Sequence, residues 1–276
     1  MELRQFPPLL LQMQSAFDHF NECRSTLRMT TGSAGLDSLI DSVQEGQSYL
    51  FYANNIAILD GLVHGLLVNC ILSKREHGFE SMTVYFNNID YYQPDKSLVL
   101  SPEKIAIAAK CAGIEPKIVF KNLFVQMAYN QQHQLAVANQ VSEFNESKKG
   151  NIKLLVVNNL TKFFRQSKNK NYAANILKEV LGMLCKACMK NKVALMCTGD
   201  ANVTNRGIVP RPIGGTFLKH TVNVIVHLRE FQHSSFKATL IKHQYVKTPK
   251  SAILDTKKTR RMVLLPGYRM ATRHRH

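Results

Sequence analysis

Two rhythms alternate along the chain. Short runs of β-branched and aromatic residues read as strands, and longer segments with an apolar residue every three or four positions read as helices. SYLFY at 48–52 gives way to LDGLVHGLLVNCILSKR at 59–75, and MTVYF at 82–86 to PEKIAIAAKCAG at 102–113. KIVF at 117–120 leads to QLAVANQVSEF at 134–144, and IKLLVV at 152–157 to NYAANILKEVLGMLCKACMK at 171–190. In that last segment Ala173, Leu177, Leu181, Leu184 and Cys188 recur at helical spacing, which buries one face and leaves Lys178, Lys186 and Lys190 to water. The alternation predicts an α/β fold with a mostly parallel, twisted sheet flanked by helices. After Val193 the pattern changes: VALMC, VNVIVHL, FKATLI and MVLL are strand-like, with no intervening segment long enough for a crossover helix. Antiparallel strands at the C-terminal edge of the sheet are expected there. The stretch 199–215, rich in Gly, Pro, Asn and Arg, reads as a mobile loop.

Composition fits one folded unit: 276 residues, 45% hydrophobic and 20% charged. The expected division is a leader over 1–29, a core domain over 30–266 and a basic, disordered tail over 267–276. No apolar run reaches the ~18 residues of a membrane span, so a soluble, intracellular protein is expected. Six cysteines lie scattered in apolar segments, as small buried hydrophobes would in a reducing compartment. Cys185 and Cys188 form a CxxC, but within a helical pattern and without a second ligand pair, so neither metal nor redox use is expected. Charge changes the picture more. Thirty-six Lys and Arg against nineteen Asp and Glu give +17, which favours a polyanionic partner, nucleic acid first, with an acidic protein as the alternative.

Three passages carry a resemblance. TTGSAGLDSLI at 30–40 is similar to TTGS-x-x-LD-x-LL, LLVVNNLTKFFR at 154–165 to LLIVDSLT-x-x-FR, and PIGGTFLKH at 212–220 to P-x-GG-x-x-L-x-H. In that order and spacing they resemble the RecA/RadA recombinase family, the ATP-dependent strand-exchange proteins and their paralogues. The resemblance implies a RecA-like core, and it also shows where ATP chemistry would reside. The family's phosphate loop is G-x-x-x-x-G-K-S/T, whose amides cradle phosphates, whose lysine neutralises them and whose hydroxyl binds magnesium. Aligning VHGL at 63–66 with the family's helix puts Ala53 and Ile58 at the two glycines, Leu59 at the lysine and Asp60 at the hydroxyl. VYFNNID at 84–90 puts Ile89 at the water-activating glutamate. Asn158 takes the place of the metal-side carboxylate, and Asp200 that of the glutamine that senses the γ-phosphate. With these groups replaced together, neither ATP turnover nor a bound cofactor is expected, and Ile56, Ile58 and Leu59 are expected to fill space once kept for phosphate.

By the same resemblance, the two segments that touch DNA in the family fall on residues 162–170 and 201–215. The first carries Lys162, Arg165, Lys168 and Lys170 interleaved with Phe163 and Phe164, and the second carries Arg206 and Arg211. Such residues suit phosphate contact without sequence preference, and the resemblance alone puts single-stranded DNA first. The alternative is that the phenylalanines belong to the core and the lysines are merely solvated. A leader element with Met13 and Ala16 stands near the place of the family's F-x-x-A tether to a neighbouring subunit, methionine replacing phenylalanine. A leader helix packed on its own domain is the equal alternative. No counterpart of the family's N-terminal helical DNA-binding domain is expected in the leader. These features together predict a DNA-binding accessory paralogue, a pseudo-ATPase that assists recombination and repair beside a recombinase or another paralogue. It would work in the nucleus of a eukaryote, or the cytoplasm and nucleoid otherwise. The competing expectations are a divergent DNA-dependent ATPase and a protein-interaction scaffold.

Overall fold

A computed structural model describes residues 15–17, 21, 25–55, 57–89, 100–147, 151–202, 209–232 and 235–255. Eight strands form one sheet in the order β10-β9-β8-β3-β7-β6-β4-β5. They are β3 (Ser48–Ala53), β4 (Met82–Asn88), β5 (Leu123–Ala128), β6 (Ile152–Asn158), β7 (Ala194–Asp200), β8 (Val224–Gln232), β9 (Ser235–Lys242) and β10 (Lys250–Asp255). The six from β5 to β8 in sheet order run parallel, while β9 and β10 add antiparallel at the C-terminal edge. A separate small ribbon pairs β1 (Arg28–Met29) with β2 (Val43–Gln44). The mostly parallel sheet with antiparallel edge strands is the architecture the sequence pattern predicts.

Both sheet faces are covered, which explains why SYLFY is apolar without interruption. Tyr49 and Phe51 point into one core cluster with Leu62 and Leu66 of α2 (Ala57–Asn69) and Leu36 of α1 (Ala34–Ile40). Leu50 and Tyr52 point the other way, into a cluster with Val137 and Val141 of α5 (Gln131–Ser147) and Leu177 and Leu181 of α7 (Lys170–Lys190). A third cluster joins Val68 of α2 to Ile105 of α3 (Pro102–Cys111) and Val119 of α4 (Pro116–Asn122). Two of the helices begin where the sequence offers a cap: Ser101 accepts the Lys104 amide at the start of α3, and Asn169 accepts the Tyr172 amide at the start of α7. In α7 the five predicted core positions are buried and Lys178, Lys186 and Lys190 are exposed. Cys185 and Cys188 lie on this helix as free thiols, Cys188 buried and Cys185 half-buried. Among the described residues no helix is long and apolar enough to cross a membrane.

Three elements depart from the expected ones. KIVF is helical, within α4, and the strand follows at 123–128. Pro116 sits in the first turn, where its fixed φ and missing N–H suit a helix start, and this overrides the β-branched pair that follows. VALMC and VNVIVHL are parallel members of the sheet, not antiparallel additions: β7 lies between β3 and β6, and β8 pairs in parallel with β3. The crossover to β8 is made by a loop and the short α8 (Thr216–Thr221). The second antiparallel strand of the edge, after β9, is β10 at 250–255. MVLL lies outside the described residues, as do Met13, Ile56, Arg206 and the tail over 267–276.

Candidate functional site

Parallel strands end together, so the loops at their carboxyl ends form one edge where ligands of such sheets bind. At the first of these loops β3 ends with buried Ala53 and α2 begins at Ala57. Ile58 is buried, and Leu59, 1% exposed, packs in the core cluster with Leu62 and Tyr85. Asp60 is held in place by two partners. Its carboxylate pairs with Lys104 of α3, and His64 Nδ1 lies 3.3 Å from its other oxygen and 2.7 Å from its carbonyl. The Ser101 amide donates to His64 Nε2 at 3.2 Å, so that nitrogen accepts and Nδ1 is the donor directed at Asp60. Burial alone would raise the Asp60 carboxyl; the pairing with His64 and Lys104 outweighs it and holds the group below the usual carboxylate range. Asp60 thereby ties the first turn of α2 to the start of α3, and a carboxylate there also suits the positive end of the helix.

Beside it, three neighbouring strands end in a ladder of neutral groups. Asn158, 4% exposed at the end of β6, donates from Nδ2 to Asn87 Oδ1 on β4 at 3.2 Å. Its Oδ1 accepts from Thr198 Oγ1 on β7 at 2.5 Å. Asn88 Nδ2 donates to the Asn158 carbonyl at 2.9 Å, and the Asn159 amide donates to Thr198 Oγ1 at 2.9 Å. Both ends of the Asn158 amide are thus engaged by protein. Ile89, half-buried, follows β4 with its amide bonded to the Ala128 carbonyl at 2.9 Å. Among the described residues no cluster of three or more His, Cys, Asp or Glu is arranged to hold a metal ion.

The basic residues behave less uniformly than their sequence suggests. Lys162, at the start of α6 (Lys162–Gln166), is 4% exposed rather than free at the surface, and Phe163 belongs to the core. Arg165 Nη1 pairs with Asp200 Oδ2 at 2.6 Å, which joins the first loop to the end of β7. Lys170 Nζ donates to the Phe164 carbonyl at 3.0 Å and the Arg165 carbonyl at 2.8 Å, capping α6, and lies 5.4 Å from the Phe164 ring. Lys168 is exposed.

The second loop is pinned at its base. Ala201 bridges to Pro212, the Asn202 amide donates to the Arg211 carbonyl at 2.8 Å, and the Ile213 amide donates to the Asp200 carbonyl at 2.9 Å. The Tyr52 hydroxyl donates to the Pro210 carbonyl at 2.8 Å. Gly214, at φ +110°, ends the loop where a Cβ would come within 2.5 Å of Leu218, which accounts for the glycine in PIGG. Arg211 is exposed at this base, while Arg206 falls outside the described residues. The structure therefore gathers Arg165, Lys168, Lys170 and Arg211 at one edge with Asp200 among them, and leaves Lys162 inside. Ala16 is exposed in the described part of the leader.

Two features of this edge escaped the sequence reading. Tyr129, following β5, and Tyr172, in the first turn of α7, are 41% and 43% exposed. His227, 2% exposed on β8, lies opposite Tyr52 with ring centroids 5.0 Å apart. Its Nε2 has no hydrogen-bond partner among the described residues, and burial, then the Arg229 charge, pushes its pKa down to about 4. An exposed tyrosine at a helix start leaves no periodic signature, whereas a buried histidine in an apolar strand has one only once the face that covers it is known.

Comparison with known proteins adds to this geometry. The family model described as Rad51 matches residues 22–244. The chain is 26% identical over 230 residues to the DNA repair and recombination protein RadA of Aeropyrum pernix, an alignment covering 80% of this chain and 69% of that protein.

Proposed function

The chain belongs to the Rad51 family of RecA/RadA recombinases, and from that premise we propose that it serves DNA recombination and repair as an accessory paralogue that binds DNA and does not hydrolyse ATP. Its partners would be single-stranded DNA and an active recombinase or a second paralogue. The observation that supports this reading most is the fate of the aligned phosphate-loop positions. Leu59 is core, and Asp60 is committed to Lys104 and His64. A triphosphate needs amide and cationic donors at that place, and a carboxylate already satisfied within the protein presents the opposite. Asn158 adds to the argument, because a neutral amide bonded at both ends has no charge to hold the water shell of a magnesium ion. These residues do not fit a bound magnesium nucleotide, so no step of the proposed activity passes through one.

The positive edge is what remains to act. Lysine and arginine bind phosphates by charge and counterion release, which carries no base information. Such a subunit would add DNA contact to an assembly whose chemistry is supplied by its neighbours. The test combines a fluorescent ATP analogue with magnesium, phosphate release with and without single-stranded DNA, and anisotropy of a labelled oligonucleotide. Expected are DNA binding, no saturable magnesium-dependent nucleotide binding and no phosphate release above buffer. DNA-stimulated phosphate release that disappears on Asn158→Ala substitution would make the chain a divergent ATPase instead.

A further inference from the structure

The two exposed tyrosines stand in a particular setting. Three consecutive elements converge on the start of α5. Gln131 Nε2 donates to the Phe163 carbonyl of α6 at 3.1 Å, Gln134 Nε2 donates to the Leu160 carbonyl at 3.0 Å, and Gln132 Nε2 donates to the Tyr172 hydroxyl at 3.4 Å. This stitching sets the Tyr129 end of β5 beside the first loop and the start of α7. The Tyr129 ring lies over His133 with centroids 5.5 Å apart and planes inclined by 33°. Water thus reaches two large rings, Tyr129 against the His133 imidazole and Tyr172 two positions after Lys170 in the chain.

The electrostatics of this patch are one-sided. Helix starts favour acidic side chains, yet neither α5 nor α7 carries an acidic residue in its first turn. Asp200, the carboxylate placed nearest by the geometry above, is paired with Arg165. Among the described residues, the starts of two long helices and the cations of the first loop therefore present a positive field around exposed aromatic faces. Of the polyanions, single-stranded nucleic acid satisfies both halves of that chemistry, because its phosphates meet the charge and its unpaired bases offer π-faces to the rings. A duplex satisfies only the first, since its bases are stacked on each other.

We propose that Tyr129 and Tyr172, with His133 behind Tyr129, form a stacking platform for unpaired bases, placing single-stranded nucleic acid across the start of α5 and α7 beside the first basic loop. The proposal rests on the DNA-binding reading above and extends it from phosphate contact to base contact without sequence preference. It also supplies a physical reason for a single strand to bind better than a duplex.

The test uses the full chain as wild type, as the Tyr129→Ala/Tyr172→Ala double variant and as the Tyr129→Phe/Tyr172→Phe double variant. Each is titrated by anisotropy with labelled oligothymidylate and with a fully abasic oligonucleotide of equal length. Wild type is expected to prefer the base-bearing strand, and the alanine variant to lose about tenfold in affinity for each ring, ending with equal affinity for the two probes. The phenylalanine variant should keep the preference. A second readout does not depend on the folding of the alanine variant. The chain has no tryptophan and nine tyrosines, so tyrosine emission is observed directly; unlabelled oligothymidylate should quench it in wild type by more than in the phenylalanine variant. Equal wild-type affinity for abasic and base-bearing strands, or quenching that is the same in both proteins, overturns the platform and leaves phosphate binding standing. Failure of wild type to bind either probe overturns the platform and the DNA-binding reading together.

Discussion

His227 shows how much a single side chain can hide from a linear reading. The run VNVIVHL announces a strand, but the sequence does not say that the imidazole face will be sealed against Tyr52, because Tyr52 lies on a strand far away in the chain. Burial, reinforced by Arg229, pushes its pKa down to about 4 from an ordinary 6.5. Below the ordinary value the unfolded chain takes up a proton that the folded chain refuses, so stability is lost as pH falls from about 6.5 towards about 4. The slope is at most ~1.4 kcal/mol per pH unit. His227→Phe keeps a ring against Tyr52 and removes the titration. Urea denaturation at pH 7, 6 and 5 should show the variant gaining on wild type at each step down by about 1 kcal/mol; parallel curves would show that the imidazole is not buried as described. Asn158 teaches the complementary lesson. Its identity was legible as an amide in place of a carboxylate, whereas its partners Asn87 and Thr198, 71 and 40 residues away, became visible only when the strands were laid side by side.

Among the elements, those read correctly are the ones whose signal is local and redundant. In α7 periodicity, an Asn cap and a polar outer face all agree, and the helix appears where expected. The misreading of KIVF came from weighing two β-branched residues above the proline before them. The parallel placement of β8 was illegible for a different reason: a short α8 completes a crossover that length alone argued against. The basic loops, legible as charge, were illegible as geometry. Lys162 turned inward at the start of α6, and Arg165 closed on Asp200, so that pair now couples the first loop to the base of the second. Releasing Arg165 by Asp200→Asn should raise affinity for single-stranded DNA about threefold and steepen the dependence of log K on log salt by ~0.7, the share of one added single-strand phosphate contact. Adding Arg165→Ala to the same chain should cancel both changes. Salt titrations by anisotropy report the two quantities separately, and a gain that survives the second substitution would assign the effect to lost repulsion by Asp200 rather than to Arg165.

For the whole molecule, a net charge of +17 sets a background attraction to any polyanion, and the question is whether a defined edge rises above it. A diffuse basic surface makes many weak contacts of no fixed number, so its affinity depends on total charge and changes little when any one cation is removed. A built edge holds a countable set. Arg165, Lys168, Lys170 and Arg211 are gathered by the carboxyl ends of the strands, with two of the four also bonded within the protein. If Lys168, Lys170 and Arg211 carry the phosphate contacts while Asp200 holds Arg165, log K for oligothymidylate should fall against log salt with a slope of about −2, the value for three single-strand contacts. Removing the two cations that make no side-chain bond among the described residues, by Lys168→Ala and Arg211→Ala together, should bring the slope to about −0.7. The same two substitutions lower the net charge from +17 to +15, a minor change for a surface that acts only in bulk. A slope that stays near about −2 in the double variant would therefore place the phosphate contacts elsewhere on the molecule, and one near zero in wild type would turn the charge towards an acidic protein partner.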